Sequence, residues 1–359
     1  METIFHIPYN EILELAEGVF SACGIPERDA EMLSDSLVRA DMRGIKSHGL
    51  VRVPSYVQQI RDGVFSAEAP LEVISERGFA TVLDGHNGLG SVVSYKAVEI
   101  TKKKARENGV AVTVVRNSNH YGAAGLWAHL LSEDKDLIGF TTTNSVPIVA
   151  APNGIGRGVG SNPFSFAIPA ETYENMCLDV SCGYMAQGKI WEYRRLNKPL
   201  PENAWLGPDG KMTTDPNAYH IDDYVMIPFG NHKGFGLSVI MEMLSSALAG
   251  GPFHTKFGGL TKEMPKTSHL FAAMRIDAFV DPVAYRKDVD CYIEYLHGLP
   301  VRDSAAKALY PGEIEAKCEV DSLRNGVPIP MKVLEDMRSI AVEYGLNVEG
   351  YEKYLCESR

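Results

Sequence analysis

Apolar residues between Pro8 and about Arg43 recur at helical spacing, first Ile12, Leu13, Leu15, Ala16, Val19 and Phe20, then Met32, Leu33, Leu37 and Val38. The break between the two stripes is GIPERDA, 24 to 30, so the pattern predicts a helical hairpin. PSYVQQIRDG reads as a further short helix ending at Gly63, and FATVLDG, 79 to 85, as a strand. Beyond it the two periods alternate: helix 91–107, strand 110–115, helix 123–132, strand 137–143, strands near 164–168 and 176–182, and a helix around 185–196. Alternation of this kind predicts a layered α/β unit. A long helix is expected over 233–250, a strand through SHLFAAMRID, and helices over 281–297 and from 312 to the end. Both ends are then helical and are expected to pack together as one discontinuous domain. The division is 1–75 and 311–359 for that helical domain, 76–250 for the central α/β domain, and 251–310 for its continuation with a variable loop. No internal repeat is visible.

The chain has 359 residues, enough for two or three domains of roughly 100 to 200 residues each. Its formal net charge of −11 argues against a nucleic acid or an anionic membrane as partner, because both require a positive surface. The basic run KKKAR, 102 to 106, lies on an expected helix and reads as a solvated face. Acids stand near the N-terminus where a secretory signal carries basic residues, and nothing approaches the roughly 18 unbroken apolar residues of a membrane span. A cytoplasmic protein is expected. The six cysteines form no C-x-x-C pair, which argues against a structural zinc site and a disulfide framework.

The stretch FATVLDG, HNGLGSVV and a helix has the outline of a dinucleotide-binding start. Gly88 and Gly90 supply G-x-G, but Val93 occupies the third glycine position, and no acid stands at a strand end about 20 residues on. GIGRGVG, 154 to 160, misses the spacing too, and no G-K-[ST] is present. A bound dinucleotide would need another architecture. The glycine clusters stay open between ordinary turns and anion-binding concavities.

GIKSHGLVR, 44 to 52, sets His48 four positions before Arg52. If the segment is briefly helical, both side chains project from one face and converge on one small anion. A guanidinium fork matches a carboxylate, and imidazole gives or takes a proton near neutrality. That pair suits a 2-oxo or 2-hydroxy acid. NSNHYGAAG, 117 to 125, places His120 in a strand-to-helix loop as a second proton-transfer or orienting group, with N–H groups at 122 to 125 able to cap a phosphate. A core or capping histidine is the alternative there. Lys233 sits at a helix start, where it gains nothing from the helix dipole and is expected to face an anion. Histidine spacing of the H-E-x-x-H kind is missing, as is a G-x-S-x-G elbow, so neither a metal centre nor a serine hydrolase is indicated.

As a set, ADMRGIKSHGLVRVPSYV, SNHYGAAG, GVGSNPFSFAIP, LDVSCG, TTDP, NHKGFGLSVIMEMLSSALAG and YPGE resemble the type 2 malate/L-lactate dehydrogenase family from about residue 5 to 345. The family includes ureidoglycolate, sulfolactate and diketogulonate dehydrogenases and a cyclic-imine reductase. The resemblance implies an NAD- or NADP-dependent oxidoreductase, moving hydride between the nicotinamide and a small 2-oxo or 2-hydroxy acid. It also implies a homodimer with a non-Rossmann cofactor domain, built on a largely antiparallel mixed sheet, and a helical domain from both chain ends. Carried over by motif, His48 and His120 are the acid/base candidates and Arg52 binds the carboxylate. Ser47, Tyr56, Asn144 and Asn162 fall near the substrate. The cofactor falls to His120, Gly122, Ala123, Ala124 and Gly125, to Asp179, Val180 and Ser181, to Lys233 and Gly234, and to Pro311, Gly312 and Glu313. Where many relatives read D-M-A-T-S this chain reads Asp179-Val180-Ser181-Cys182-Gly183, and 251–270 matches no familiar pattern. Three other readings remain: reduction of a cyclic imine carboxylate, reduction of 2,3-diketogulonate, and nucleotide binding without catalysis.

Overall fold

The computed structural model describes residues 3–185, 190, 193, 194, 196–220, 223–252, 266–303, 306–349 and 354, and all statements of structure concern these. Strand β1 (Ile4–Ile7) leads into helices α1 (Tyr9–Ala22) and α2 (Glu27–Met42), the expected hairpin. Pro8 and Pro26 stand just ahead of the two helices, where a missing N–H leaves no helical bond unmade. Two 3₁₀ turns, Lys46–His48 and Leu50–Arg52, connect to α3 (Val53–Arg61). Next come β2 (Glu72–Arg77), β3 (Ala80–Asp84), α4 (Gly90–Asn108), β4 (Val110–Ser118), α5 (Ala124–Ser132) and β5 (Leu137–Thr143). The short strands β6 (Val149–Ala150) and β7 (Arg157–Val159) precede β8 (Phe164–Ile168) and β9 (Met176–Val180). After β10 (Trp205–Leu206) and β11 (Val225–Met226), α6 (His232–Glu242) runs into a π-helical turn, Met243–Ala247. The chain ends with β12 (Thr267–Arg275), α7 (Pro282–His297), α8 (Glu313–Asn325), β13 (Val327–Pro330) and α9 (Met331–Glu343).

Seven strands form the main sheet in the order β2-β3-β4-β12-β5-β8-β9. Only β3 and β4 run parallel, and α4 provides the crossover that a parallel pair needs. The sheet is thus mixed and largely antiparallel, as expected. It offers none of the parallel-strand crevice in which a Rossmann fold binds its dinucleotide. Helices α4 and α5 cover one face through Val93, Ala97, Leu126, Trp127 and Leu131 against Leu83, Val115 and Phe271. Residues of α6 and the π turn cover part of the other, with Met241 beside Phe164 and Leu244 beside Val114 and Leu270. Across the rest of that second face runs a row in strict register, Ala80, Val112, Ala272, Phe140, Phe166 and Leu178, whose outermost members Phe166 and Leu178 are 39% and 41% exposed.

A separate core joins the two chain ends. Ile12, Leu15, Val19 and Phe20 of α1 and Leu33 and Leu37 of α2 pack with Val327, Ile329, Leu334 and Met337, while β1 pairs antiparallel with β13. Helices α8 and α9 fill the region from 312 where helices were expected, and β13 is the strand that interrupts them. Pro328 and Pro330 cannot sit inside a helix, and the segment instead runs along β1 as a two-stranded ribbon. The helix expected over 233–250 likewise changes to π geometry after Glu242. The helix expected around 185–196, and 253–265 of the variable segment, lie largely or wholly outside the described residues. The basic run is spoken for: Lys102 pairs with Glu133 and Asp134, Lys104 with Glu76, and Arg106 with Asp134 and Asp136. No helix among the described residues is long and apolar enough to cross a membrane.

Candidate active site

His48 closes the first 3₁₀ turn and Arg52 the second, so the four-residue spacing is taken up by two tight turns instead of the expected helical face. Within this loop the backbone carbonyl of Ser47 accepts from Arg52 Nε at 2.7 Å, and the Ser47 hydroxyl lies 2.9 Å from His48 Nδ1. One serine therefore orients both side chains. The terminal nitrogens of Arg52 have no partner among the described residues, which leaves the guanidinium fork open.

His120 arrives from the main sheet, in the loop after β4. The Asn119 side chain donates to the carbonyls of Asn87 and Gly88, both at 2.9 Å, and Trp127 Nε1 donates to the Tyr121 carbonyl at 2.9 Å. A Cβ on Gly90 would stand 2.3 Å from the carbonyl oxygens of Asn119 and His120, so only glycine lets α4 start against this loop. This is the use of the G-x-G cluster that failed as a nucleotide fingerprint. Below the loop the Tyr121 ring stacks on buried His269, with centroids 4.6 Å apart and planes 7° apart. His269 is wedged between Ser118 Oγ and Thr143 Oγ1, each at 2.8 Å. Burial pushes its pKa down to about 3, which keeps it a neutral spacer.

The two elements meet ring on ring. His48 and His120 stack with centroids 5.4 Å apart and an interplanar angle of 17°. Tyr56 from α3 reaches the second imidazole, its hydroxyl 2.5 Å from His120 Nδ1, while its ring packs edge-on against Phe65. Each histidine thus has Nδ1 against a hydroxyl, and the Nε2 atoms are without a partner among the described residues. A hydroxyl can donate to Nδ1 or accept from it, so either imidazole can present Nε2 as a lone pair or as N–H. Burial and then the Arg52 charge push the pKa of His48 down to about 3. The same two causes, in that order, with His48 and His269 behind them, hold His120 well below its ordinary 6.5. The pair is neutral at neutral pH. Burial also lifts Tyr56 to about 12, so it remains a protonated phenol.

The expected cofactor segments gather along β9 and its continuation. The Gly125 amide donates to Asp179 Oδ2 at 2.8 Å, which removes that N–H from the proposed phosphate cap. Cys177 N donates to the Pro311 carbonyl at 2.9 Å, bringing the 311–313 turn alongside. Further on, Phe229 N donates to the Cys182 carbonyl at 3.2 Å and Gly234 N to the Phe229 carbonyl at 2.9 Å, which ties in the start of α6. Val180 and Ser181 are half-buried between these contacts, and Lys233 is exposed on the first turn of α6. Glu313 is not available: buried, it accepts from Lys317 at 2.6 Å and from the Tyr310 amide at 3.2 Å, and lies 2.9 Å from His297 Nε2. The cleft next to it, about 500 Å³, is lined by Tyr173, His297, Tyr310, Lys317 and Arg324 among others.

Asn144 and Asn162, expected near the substrate, are buried and spent on the protein. Asn144 donates to Ser246 Oγ at 2.6 Å and Glu242 Oε1 at 3.2 Å and accepts from the Ser268 amide at 2.8 Å. Asn162 donates to Glu242 Oε2 and the Ser238 carbonyl and accepts from the Ser145 amide. Their common partner, Glu242, was missed in the sequence, where its signal was one acid inside an apolar helical run. His269 was missed likewise, an imidazole inside an apolar strand.

The malate/L-lactate dehydrogenase profile matches residues 7–338. The malate dehydrogenase of Pyrococcus horikoshii is 32% identical over 97% of this chain and 98% of its own length. The L-sulfolactate dehydrogenase of Methanocaldococcus jannaschii is 34% identical over 96% and 98%. The chain belongs to the malate/L-lactate dehydrogenase family. Its fold agrees with the crystal structure of malate dehydrogenase from Entamoeba histolytica at a TM-score of 0.91, 26% identity, and 97% and 100% coverage of the two chains. As a member of the malate/L-lactate dehydrogenase family it is an oxidoreductase that works with a nicotinamide cofactor. The residues present fit such a group: Gly122 and Ala123 are buried, yet neither donates its N–H to any described residue. Buried amides of this kind call for an acceptor beyond the described residues, which a bound cofactor would supply.

Proposed function

We propose that this enzyme interconverts a small 2-hydroxy acid and its 2-oxo acid, with NAD as the cofactor. The stacked His48–His120 pair beside the open fork of Arg52 is the observation that carries the reading. Arg52 takes the substrate carboxylate in a bidentate grip. The oxygen on the adjacent carbon then falls to an imidazole Nε2. Bound nicotinamide supplies the hydride donor or acceptor, and the protein supplies alignment and the proton. In oxidation a neutral imidazole takes the hydroxyl proton. In reduction Nε2–H returns it, and the bound carboxylate helps by neutralising the Arg52 charge that disfavours imidazolium. Gly122 to Ala124, Asp179 to Ser181, Lys233, Gly234, Pro311 and Gly312 hold the cofactor. NAD is favoured over NADP because the Asp179 carboxylate, held by the Gly125 amide, would repel a 2′-phosphate.

The site then lies between a helical domain formed by both chain ends and the sheet domain. Two copies pair through the edge of the sheet where Phe166 and Leu178 lie exposed at the end of the apolar row, since a face of that kind marks an interaction surface. Phe166→Asp with Leu178→Asp is expected to convert a dimer to a monomer in sedimentation, and an unchanged sedimentation coefficient would exclude this face. A cytoplasmic setting accords with the free cysteines Cys23, Cys177, Cys182, Cys291 and Cys318.

An absorbance screen tests the reaction. NADH and NADPH are each offered with pyruvate, oxaloacetate, a sulfonated oxo acid, an oxalurate-like acid, diketogulonate and a cyclic imine carboxylate. Loss of reduced-nicotinamide absorbance with an oxo acid is expected. Consumption with the imine alone would move the proton to nitrogen, and fluorescence change without consumption would leave only nucleotide binding.

A further inference from the structure

Asp41, on the last turn of α2, lies beneath the loop that carries His48 and Arg52 and is only 3% exposed. Its backbone carbonyl accepts from the Gly44 amide at 3.0 Å, where the chain leaves the helix. Its carboxylate accepts from the Leu50 amide at 2.7 Å, where the chain comes back between the two 3₁₀ turns. The one residue therefore grips both ends of the intervening segment. Gly49 is shaped around that grip, because a Cβ there would stand 2.2 Å from Asp41 Cγ and Oδ1. Only glycine at 49 lets the backbone close onto the carboxylate. The turn that results sends the His48 ring to His120, and sets Ser47 to hold both the His48 ring and Arg52 Nε. Asp41 touches none of these functional atoms itself. Burial raises its pKa to about 7, opposed by the Leu50 amide and Lys46, so an amide of the same shape is a close substitute for it.

We propose that Asp41 is a positioning residue of the catalytic centre, clamping the 44–50 loop so that His48 and Arg52 face the same pocket. The inference rests on the reading of His48 and Arg52 as acid/base and carboxylate binder. Its physical content is a distance constraint, and misplacement of reacting groups by about 1 Å can cost roughly 10²-fold in rate.

Asp41→Asn retains an acceptor for the Leu50 amide and is expected to keep kcat and KM close to wild type. Asp41→Ala loses the acceptor and should lower kcat/KM about 10²-fold, with kcat falling and KM for the oxo acid rising together, while NADH affinity read by fluorescence holds. Gly49→Ala should do the same, since its methyl needs the carboxylate's space. Adding Gly49→Ala to Asp41→Ala should cost little more, because the two changes break one contact. Wild-type kinetics in Asp41→Ala, no rescue by Asn, or fully additive losses would each overturn the clamp. If Asp41→Ala does not fold, Asp41→Asn and Gly49→Ala decide: the clamp requires the first to be active and the second impaired, and equal behaviour refutes it. Ring signals of His48 and His120 in nitrogen-labelled protein give a readout free of turnover, expected to move in Gly49→Ala and stay in Asp41→Asn. That pattern in a protein inert towards every oxo acid would sink the dehydrogenase reading and leave the clamp standing, and unmoved signals in Gly49→Ala would sink the clamp.

Discussion

His48→Ala is expected to bind NADH as tightly as the wild type while turning over the oxo acid about 10²- to 10⁴-fold more slowly, the range lost with a general acid or base. The segments proposed to hold the cofactor lie along β9 and the start of α6, and none of their hydrogen bonds runs through His48. Its ring meets only Ser47 Oγ and the face of His120 in the described contacts, so the folded core should survive the truncation. Stopped-flow turnover beside fluorescence titration separates the two effects. Unimpaired turnover would remove His48 from the chemistry. His120→Ala, measured alongside, identifies the proton donor. It also strips the Tyr56 hydroxyl of its partner, so a loss confined to His120→Ala would assign proton transfer to the sheet side of the stack.

Arg52→Gln is expected to raise KM for the acid substrate about 10- to 10²-fold, as removal of a charge-assisted contact worth roughly 1.5 to 3 kcal/mol implies. A second consequence concerns pH. Burial is the larger cause of the low pKa of His48 and His120, and the Arg52 charge is the next. Taking that charge away moves both pKa values upward. Reduction needs the protonated form and loses rate as pH rises through the pKa, whereas oxidation needs the neutral form and gains rate there. In Arg52→Gln both limbs of the kcat/KM profile should therefore shift to higher pH. Arg52→Lys keeps the charge but not the fork, so its limbs should stay while KM still rises. Limbs at the same pH in wild type and Arg52→Gln would show that the guanidinium does not face the imidazoles.

The candidate site sits at a junction of two cores. Leu50, Val53, Tyr56 and Val57 are buried in the core shared by the chain ends, while Tyr121 and Trp127 are buried with the sheet. His48 and His120 thus come from separately supported elements, and the stack between them is as fixed as the packing on either side. Seen from outside, the same junction gives one imidazole a serine and the other a phenol, two neutral hydroxyls that accept either tautomer.

Much of this was legible in the residues. Stripes at 12 to 20 and 32 to 38 gave the hairpin, and the alternation from 79 to 182 gave strands and helices within a few positions, because periodic burial is a local property of each element. His48, Arg52 and His120 stood out because titratable and cationic side chains flanked by glycine in loops have little packing reason to be there. Three features were out of reach. β1 and β13 are four-residue strands at opposite ends of the chain, one carrying two prolines, and they exist only through each other. Asp41 and Glu242 read as ordinary helix acids until folding brought the Leu50 amide to one and two asparagines to the other. Asn144 and Asn162 looked like substrate ligands until the same folding used up their amides. The sequence by itself determined the periodic elements, the family and the chemical types in the candidate site, since these depend on residue identity and short-range spacing. Only the tertiary structure decided that two imidazoles stack beside one guanidinium, because that depends on long-range closure of the chain and on which polar atoms the fold leaves unpaired.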